Sequence, residues 1–407
     1  MPTVTVLGAH GQSVSLSYDT AATAAIAAHL AQAINAGVTA GTLLPAVDTD
    51  GPPPSVPAGK SGEFVQTQNG PTFLPPGYTA YVDAAQQALV FGSGAAGESI
   101  LVGSGDLTFI AAAGSGTIAG GGGTDRILIG AGDHGAWNIA LGGGNDAVFA
   151  LGSGNDTIAA GGGENQIALG AGKDVVVSTG QDAIAMGNGA ATIDASAARG
   201  DLVQGGNGAL LFVAGAGNAT ILGGDGAVTF LGGSGNAVVH GGSDGANLLI
   251  AGTGAATLYG AGKGDQLFAS GSHGQELVAG AGNETLNAAL SSGNDTLAAG
   301  SGNATMVGGI GHEVFLFTKG EAGGHDLVMN FTAGDKIDLS GYGPHAVAQA
   351  LASQTLKDGS VTITLGDHTK VTFSGVTSLS ASNFLGGGSG GGDHGHEHGH
   401  GGWFGHG

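Results

Sequence analysis

Residues 141–177 read LGGGNDAVFALGSGNDTIAAGGGENQIALGAGKDVVV. A bulky apolar residue returns about every nine positions, at Val148, Ile158, Ile167 and Val176, each after a glycine-rich run that holds a polar or acidic residue. A helix does not keep this spacing: its apolar face repeats every 3.6 residues, and each interior glycine destabilises it by about 1 kcal/mol. A short strand, a tight turn, a second short strand and a second tight turn, wound into a flattened spiral, do keep it. Two nine-residue units then make one coil. Glycine takes the turn positions that need positive φ, and the apolar residue of each strand points into a narrow interior.

Outward from this stretch the beat continues through Ile118 and Ile127 on one side and Ile184, Ile193, Ile221 and onward to Phe315 on the other. The spacing predicts an all-β fold, a parallel β-roll or β-solenoid of about 12 coils and ~55 Å, in which each coil pairs only with its neighbours. Composition agrees. Glycine supplies 87 of 407 residues, roughly three times its ordinary share, yet there is no Gly-X-Y triplet and 41% of the chain is hydrophobic. Nine of the ten prolines lie at or before Pro76 and the tenth is Pro344. The stretch between them keeps every backbone donor, as a continuous ladder requires. Cysteine is absent and the net charge is −22, which excludes disulfides and thiolate sites and disfavours nucleic acid and anionic membranes as partners.

The copies GGGGTDRIL (Gly120–Leu128), LGGGNDAVF (Leu141–Phe149), LGSGNDTIA (Leu151–Ala159) and LGAGKDVVV (Leu169–Val177) resemble the repeats-in-toxin (RTX) nonapeptide family, GGxGxDxUx with U a large apolar residue. The resemblance implies that the aspartate at the sixth repeat position helps to bind Ca²⁺ between successive turns on one edge of the spiral, with glycine carbonyls completing the shell. Same-edge turns are about 18 residues apart in such a roll. The implied pairs are Asp125 with Asp146, Asp156 with Asp174, Asp182 with Asp201, and Asp265 with Glu284, with Asp295 and Glu313 a weaker fifth. The alternative is that these aspartates only form turns. Through the middle of the array the sixth position is Ala191, Ala219, Val228, Ala237, Asn247 and Ala256, so a partial calcium complement is expected. Asparagine one place earlier, as in GAGNATIL (Gly215–Leu222), suggests stacked amides in place of the metal. Arg126 and Arg199 are expected to balance neighbouring aspartates.

The flanks read differently. Residues 1–50 hold one amphipathic helix over Thr20–Asn35, with Ile26, Leu30, Ala33 and Ile34 on its stripe and Gly37 as its stop. Residues 51–98 read as a proline-rich connector and first rungs, and 99–317 as the RTX-like solenoid. Residues 318–385 carry ordinary strand patterns, at Asp326–Phe331, Lys336–Leu339, Val361–Leu365 and Lys370–Phe373, and form a C-terminal β cap. Their stretches NFTAGDKIDLSGY (Asn330–Tyr342) and FSGVTSLSASNFL (Phe373–Leu385) resemble the C-terminal target domain of proteins exported by bacterial type I secretion. That resemblance implies the type I secretion apparatus as a partner and an extracellular or cell-surface location. It fits the lack of an N-terminal leader and of any segment of ~18 apolar residues. The glycine- and histidine-rich tail, 386–407, interleaves His394, His396, His398 and His400 with Asp393 and Glu397, a spacing suited to weak chelation of Zn²⁺, Ni²⁺ or Cu²⁺.

No GxSxG, HExxH or other catalytic motif occurs in the sequence, so the chain is not expected to be an enzyme. The expected function is a calcium-binding structural protein that self-assembles, head to tail, into extracellular filaments or a surface or biofilm matrix layer. The alternatives are the repeat module of a secreted RTX enzyme and a monomeric glycan-binding adhesin.

Overall fold

A computed structural model describes residues 1–386. The chain is a β-solenoid of about 16 turns, ~75 Å long at ~4.8 Å per turn. Successive strands alternate between two parallel sheets. One ladder runs from Leu43–Val47 through Ser61–Gln66, Tyr78–Asp83 and Glu98–Val102 to His325–Met329 and Lys370–Phe373. The other has 15 strands, from Gly70–Phe73 to Lys336–Ser340. Every strand of a sheet pairs with the strand one coil away, so register is fixed by the interior column. Ile139, Ile158 and Val176 stand over one another in the first sheet, and Ile127, Val148 and Ile167 in the second. All six are buried, as the nine-residue beat predicts.

The rungs begin earlier than that beat, at Leu43–Val47, and continue beyond Phe317, where His325–Met329, Lys336–Ser340 and Lys370–Phe373 add parallel rungs in what reads as a separate cap; together these account for the difference between about 16 turns and 12. Pro45 and Pro71, which read as connector, lie in strands and pair with Glu63 and Leu89. Each belongs to the first strand of its sheet, where a missing N–H can face the open end. At the turns, the stacking leaves no room for a side chain. Gly144 and Gly163 have φ of 139° and 104°, and a Cβ on Gly163 would strike the carbonyl oxygen of Gly144 one coil below.

The interior is a continuous apolar cluster from Phe64 to Phe384. In its middle Phe212 and Phe230 stack with ring centroids 6.0 Å apart. Phe230→Ala is expected to lower stability by about 3–5 kcal/mol. Because coils contact only their neighbours, hydrogen exchange should show the loss confined to the adjoining turns. A uniform loss along the rod would contradict this one-dimensional packing.

At the N-terminus an antiparallel hairpin, Thr3–Leu7 with Ser13–Ser17, and a helix, Ala21–Thr39, lie against the outer face of the first sheet. The cause is local: in the early coils that face carries Leu43, Val65, Ala80, Val82, Leu101 and Ala119, all buried with the helix. The Thr23 N–H donates to Thr20 Oγ1 (3.0 Å), capping the helix. The helix differs from its sequence reading in two respects. Its buried stripe is Thr23, Ala24, Ala27, Leu30, Ala31 and Ile34, and Ala33 is exposed. It also continues through Gly37, where the glycine admits Leu43 at 3.0 Å from the position of a Cβ. By length and composition alone this helix is long and apolar enough to cross a membrane, a test that the core helix of a soluble protein also passes; here its stripe packs on the solenoid.

The four C-terminal strand patterns are found, as His325–Met329, Lys336–Ser340, Ser360–Thr364 and Lys370–Phe373. A short helix, Ala346–Ala352, and an antiparallel hairpin close this end. Phe384 bridges to Ile337 beyond the last strand of the second sheet.

Candidate functional site

The turns that lead into each sheet stack into one column per edge. On the edge leading into the second sheet the sixth-position residues are, coil by coil, Asp125, Asp146, Asn165, Asp182 and Asp201, then alanines, then Gln275, Asp295, Glu313 and Asp335. On the other edge they include Asp156 and Asp174, then Asn247, Asp265 and Glu284, and finally Asp326. Both members of all five sequence-predicted pairs therefore sit in adjacent coils at the same register, and all ten side chains are buried.

Each sixth-position aspartate reaches back one coil with its Oδ1. The Asp125 N–H donates to Asp146 Oδ1 (2.8 Å), the Asp156 N–H to Asp174 Oδ1 (2.9 Å) and the Asp182 N–H to Asp201 Oδ1 (3.1 Å). The fifth position reaches forward instead. Asn145 Oδ1 accepts from the Glu164 N–H (2.9 Å), Asn155 Oδ1 from Lys173 (2.8 Å) and Asn218 Oδ1 from Asn236 (3.1 Å). These asparagines thus staple coils through the backbone. Direct amide-to-amide steps occur at Asn207–Asn188 (2.7 Å) and Asn303–Asn283 (3.0 Å).

One oxygen of each aspartate is used this way, whereas Glu284 bonds within its own turn and Glu313 makes no such bond; the remaining oxygens decide the chemistry. Oδ2 of Asp146, Asp182, Asp201, Asp295 and Asp326, and both carboxylate oxygens of Glu313, are buried without a hydrogen-bond partner. A buried anion with no donor or counter-charge is costly. Accordingly burial raises the Asp125 carboxyl to about 8 and those of Asp146, Asp156 and Asp201 to about 6, and pushes up Asp174, Asp182, Glu284 and Asp295. Glu313 rises through burial and the neighbouring Asp335. The only ion pair among the described residues is His10–Asp50, so Arg126 and Arg199 do not neutralise these acids as expected.

Unpartnered carboxylate oxygens at turns whose glycines stack on the carbonyls of the preceding coil are a hard-donor set suited to Ca²⁺. The fit is best at Asp125–Asp146, Asp182–Asp201 and Asp295–Glu313. It is poorer at Asp265–Glu284, where Asp265 Oδ2 accepts from the Ala261 and Gly262 N–H groups (2.8 and 2.9 Å) and Glu284 Oε2 from Gly280 (2.5 Å). Among the described residues no three acidic, histidine or cysteine side chains converge as a metal-binding group, so any such site would hold two carboxylates and be completed by carbonyls. Where the carboxylate is missing, Asn247 replaces it: Oδ1 accepts from Val228 (2.8 Å) and Gly242 (2.9 Å), and Nδ2 donates to Gly242 O (2.8 Å) and Asp265 Oδ1 (2.9 Å). Asp326 and Asp335 were missed by sequence reading, although GGHDLV and AGDKI keep the repeat's phase. His394, His396, His398 and His400 lie outside the described residues.

The chain matches no family model and no curated protein sequence.

Proposed function

We propose that the protein is a secreted structural rod, clamped by calcium at its turns, that self-assembles into extracellular filaments or a surface or biofilm matrix layer. One observation carries the calcium clamp: buried, stacked carboxylates keep oxygens without a hydrogen-bond partner, and among the described residues no basic side chain pairs with them. Where Ca²⁺ is scarce the carboxylates repel and resist stacking. In the millimolar calcium outside a cell the ion draws adjacent coils together, so binding free energy becomes folding free energy. The C-terminal resemblance to type I targeting segments supports export before folding.

For assembly, side-by-side contact is favoured over edge addition. Pro45 and Pro71 blunt the first strands, and the Phe384 segment lies across the last strand of the second sheet. The open face of that sheet carries Phe73 stacked on Phe91 (4.4 Å), then Ile110, Leu128 and Phe149 in register. Negative-stain electron microscopy tests the assembly: ordered fibres or lattices are expected with Ca²⁺ and none with chelator. Isolated short rods under both conditions would remove the assembly from this function.

The glycan-binding alternative draws on a different feature. A groove of about 720 Å³ on the same face is lined by the amides Asn145, Gln166, Gln181 and Asn218, by Phe149 and Leu202, and by Arg126, Glu164, Asp146, Asp182 and Asp201, a mixture of polar, charged and apolar surface of the kind that holds sugars. Binding on a glycan array by single rods would favour it.

A further inference from the structure

The N-terminal hairpin and helix cover only the start of the first sheet's outer face. The column they bury there, Val65, Val82, Leu101 and Ala119, continues in unbroken register through Ala140 and Ala159 to Val177. It then runs strand by strand to Met329, and of its nine members from Val177 on only Asp194 and Asn287 are polar. Val177, Leu231 and Met329 are exposed, and Val213, Ile250, Phe268 and Val307 are half-buried, so the apolar face lies open where the module ends. A second column beside it alternates apolar residues with threonine, as Val175, Thr192, Leu211, Thr229 and Leu248. Across both columns Asp194 is the one charged side chain, in a chain of net charge −22. Copies that repel one another can meet most closely where neither carries charge.

We propose that this strip is the contact between two antiparallel copies of the chain, packed first sheet on first sheet, with the middle of the strip, Ile250 and Phe268, at the two-fold axis. Nine strands ~4.8 Å apart and about four residues wide give about 560 Å² on each copy, and the ~1,100 Å² of the pair is enough for a specific contact. The module dictates the direction. A helix is about 10 Å thick, and facing sheets pack ~10 Å apart. Parallel copies would meet module on module, which holds the two strips out of contact, and would set Asp194 against its own counterpart. In antiparallel copies each module stands past the end of the other's strip, where it limits sliding. The two Asp194 side chains are then about 30 Å or more apart, well beyond the ~8 Å reach of charge in physiological salt. Such a contact is self-complementary and closed. It leaves the second sheets of both copies facing outward, and so adds a first step to the assembly proposed above: a pair able to grow sideways on both faces.

The test uses the full chain in Ca²⁺, at concentrations below those at which fibres form. Sedimentation of the unmodified protein is expected to show a dimer. Ile250→Lys places two like charges at the axis and should weaken the dimer by about a hundredfold or more, while the thermal midpoint, which reports the fold, stays in place. Direction is read by thiol cross-linking, which is clean because the chain has no cysteine. Ile250→Cys should be joined to its copy by a bis-maleimide spanning about 10 Å. Val177→Cys should not, since antiparallel copies hold these positions at opposite ends of the strip. Monomers alone, a dimer indifferent to Ile250→Lys, or cross-linking as efficient in Val177→Cys as in Ile250→Cys overturns the pairing. So does association that Ile250→Lys abolishes but in which Ile250→Cys is never joined, because another surface of the second copy would then cover the strip. Fibres that still form in Ile250→Lys leave the assembly standing without this step, whereas the predicted dimer without fibres supports the pairing and removes the assembly.

Discussion

Removing divalent cations with a chelator at pH 7.5 is expected to lower the thermal midpoint by about 15 °C or more. The size follows from linkage: a site held at 100 times its Kd adds about 2.7 kcal/mol, and three sites together approach the ~5–15 kcal/mol of a typical domain. At roughly 2 °C for each kcal/mol in a chain of this size, the shift is large. It should also be uneven. Coils bearing Asp125, Asp146, Asp182 and Asp201, and those bearing Asp295 and Glu313, have unpartnered or strongly buried acids and should open first. The coils between Leu210 and Ala256 place alanine, valine, leucine and Asn247 at the sixth position and need no cation, so their amides should stay protected. Hydrogen exchange with and without chelator reads both statements. A midpoint unmoved by chelation would exclude a cation clamp, and uniform opening would show that the asparagine and alanine turns depend on neighbours more than on their own staples.

How much of this was legible beforehand depended on contrast in the sequence. Ile158 or Val176 between glycine-rich turns is unambiguous, because nothing else in the unit can fill the interior, and the sixth-position acids follow from the same phase. The first coils lack that contrast. Leu43–Val47, Ser61–Gln66 and Gly70–Phe73 have no glycine-marked beat, and their prolines resemble a connector until their place at the open end is seen. The helix stripe was misplaced for a related reason: in AATAAIAAHLAQAINAG alanine lies on every face, so hydrophobicity does not separate Ala31, which is buried, from Ala33, which is not. Asp265–Glu284 looked equivalent to Asp125–Asp146, and only the path of the 260–264 turn shows backbone N–H groups already occupying its oxygens.

In metal-free solution the dependence of stability on pH should be inverted relative to the calcium-loaded protein. The folded carboxyls are raised, Asp125 to about 8 and Asp146, Asp156 and Asp201 to about 6, whereas in the unfolded chain an aspartate titrates near ~3.9. As pH climbs past ~4 the unfolded chain releases these protons first and the folded chain keeps them. Stability therefore falls until each folded value is passed, and levels off above about 8. A carboxyl raised from ~4 to ~6 withdraws about 3 kcal/mol by pH 7, so several together bring the cation-free rod close to unfolding at neutral pH. Chelated protein should be most stable near pH 4 and weaken steadily toward pH 8. A bound cation requires the ionised pair and reverses the sign: with Ca²⁺ the acids titrate low, and stability should be full at pH 7 and disappear as acid displaces the ion. The two curves of thermal midpoint against pH are expected to cross between pH 4 and pH 6. Parallel curves would mean that these acids are already neutralised within the folded chain, and that their unpartnered oxygens hold protons under all conditions rather than a metal.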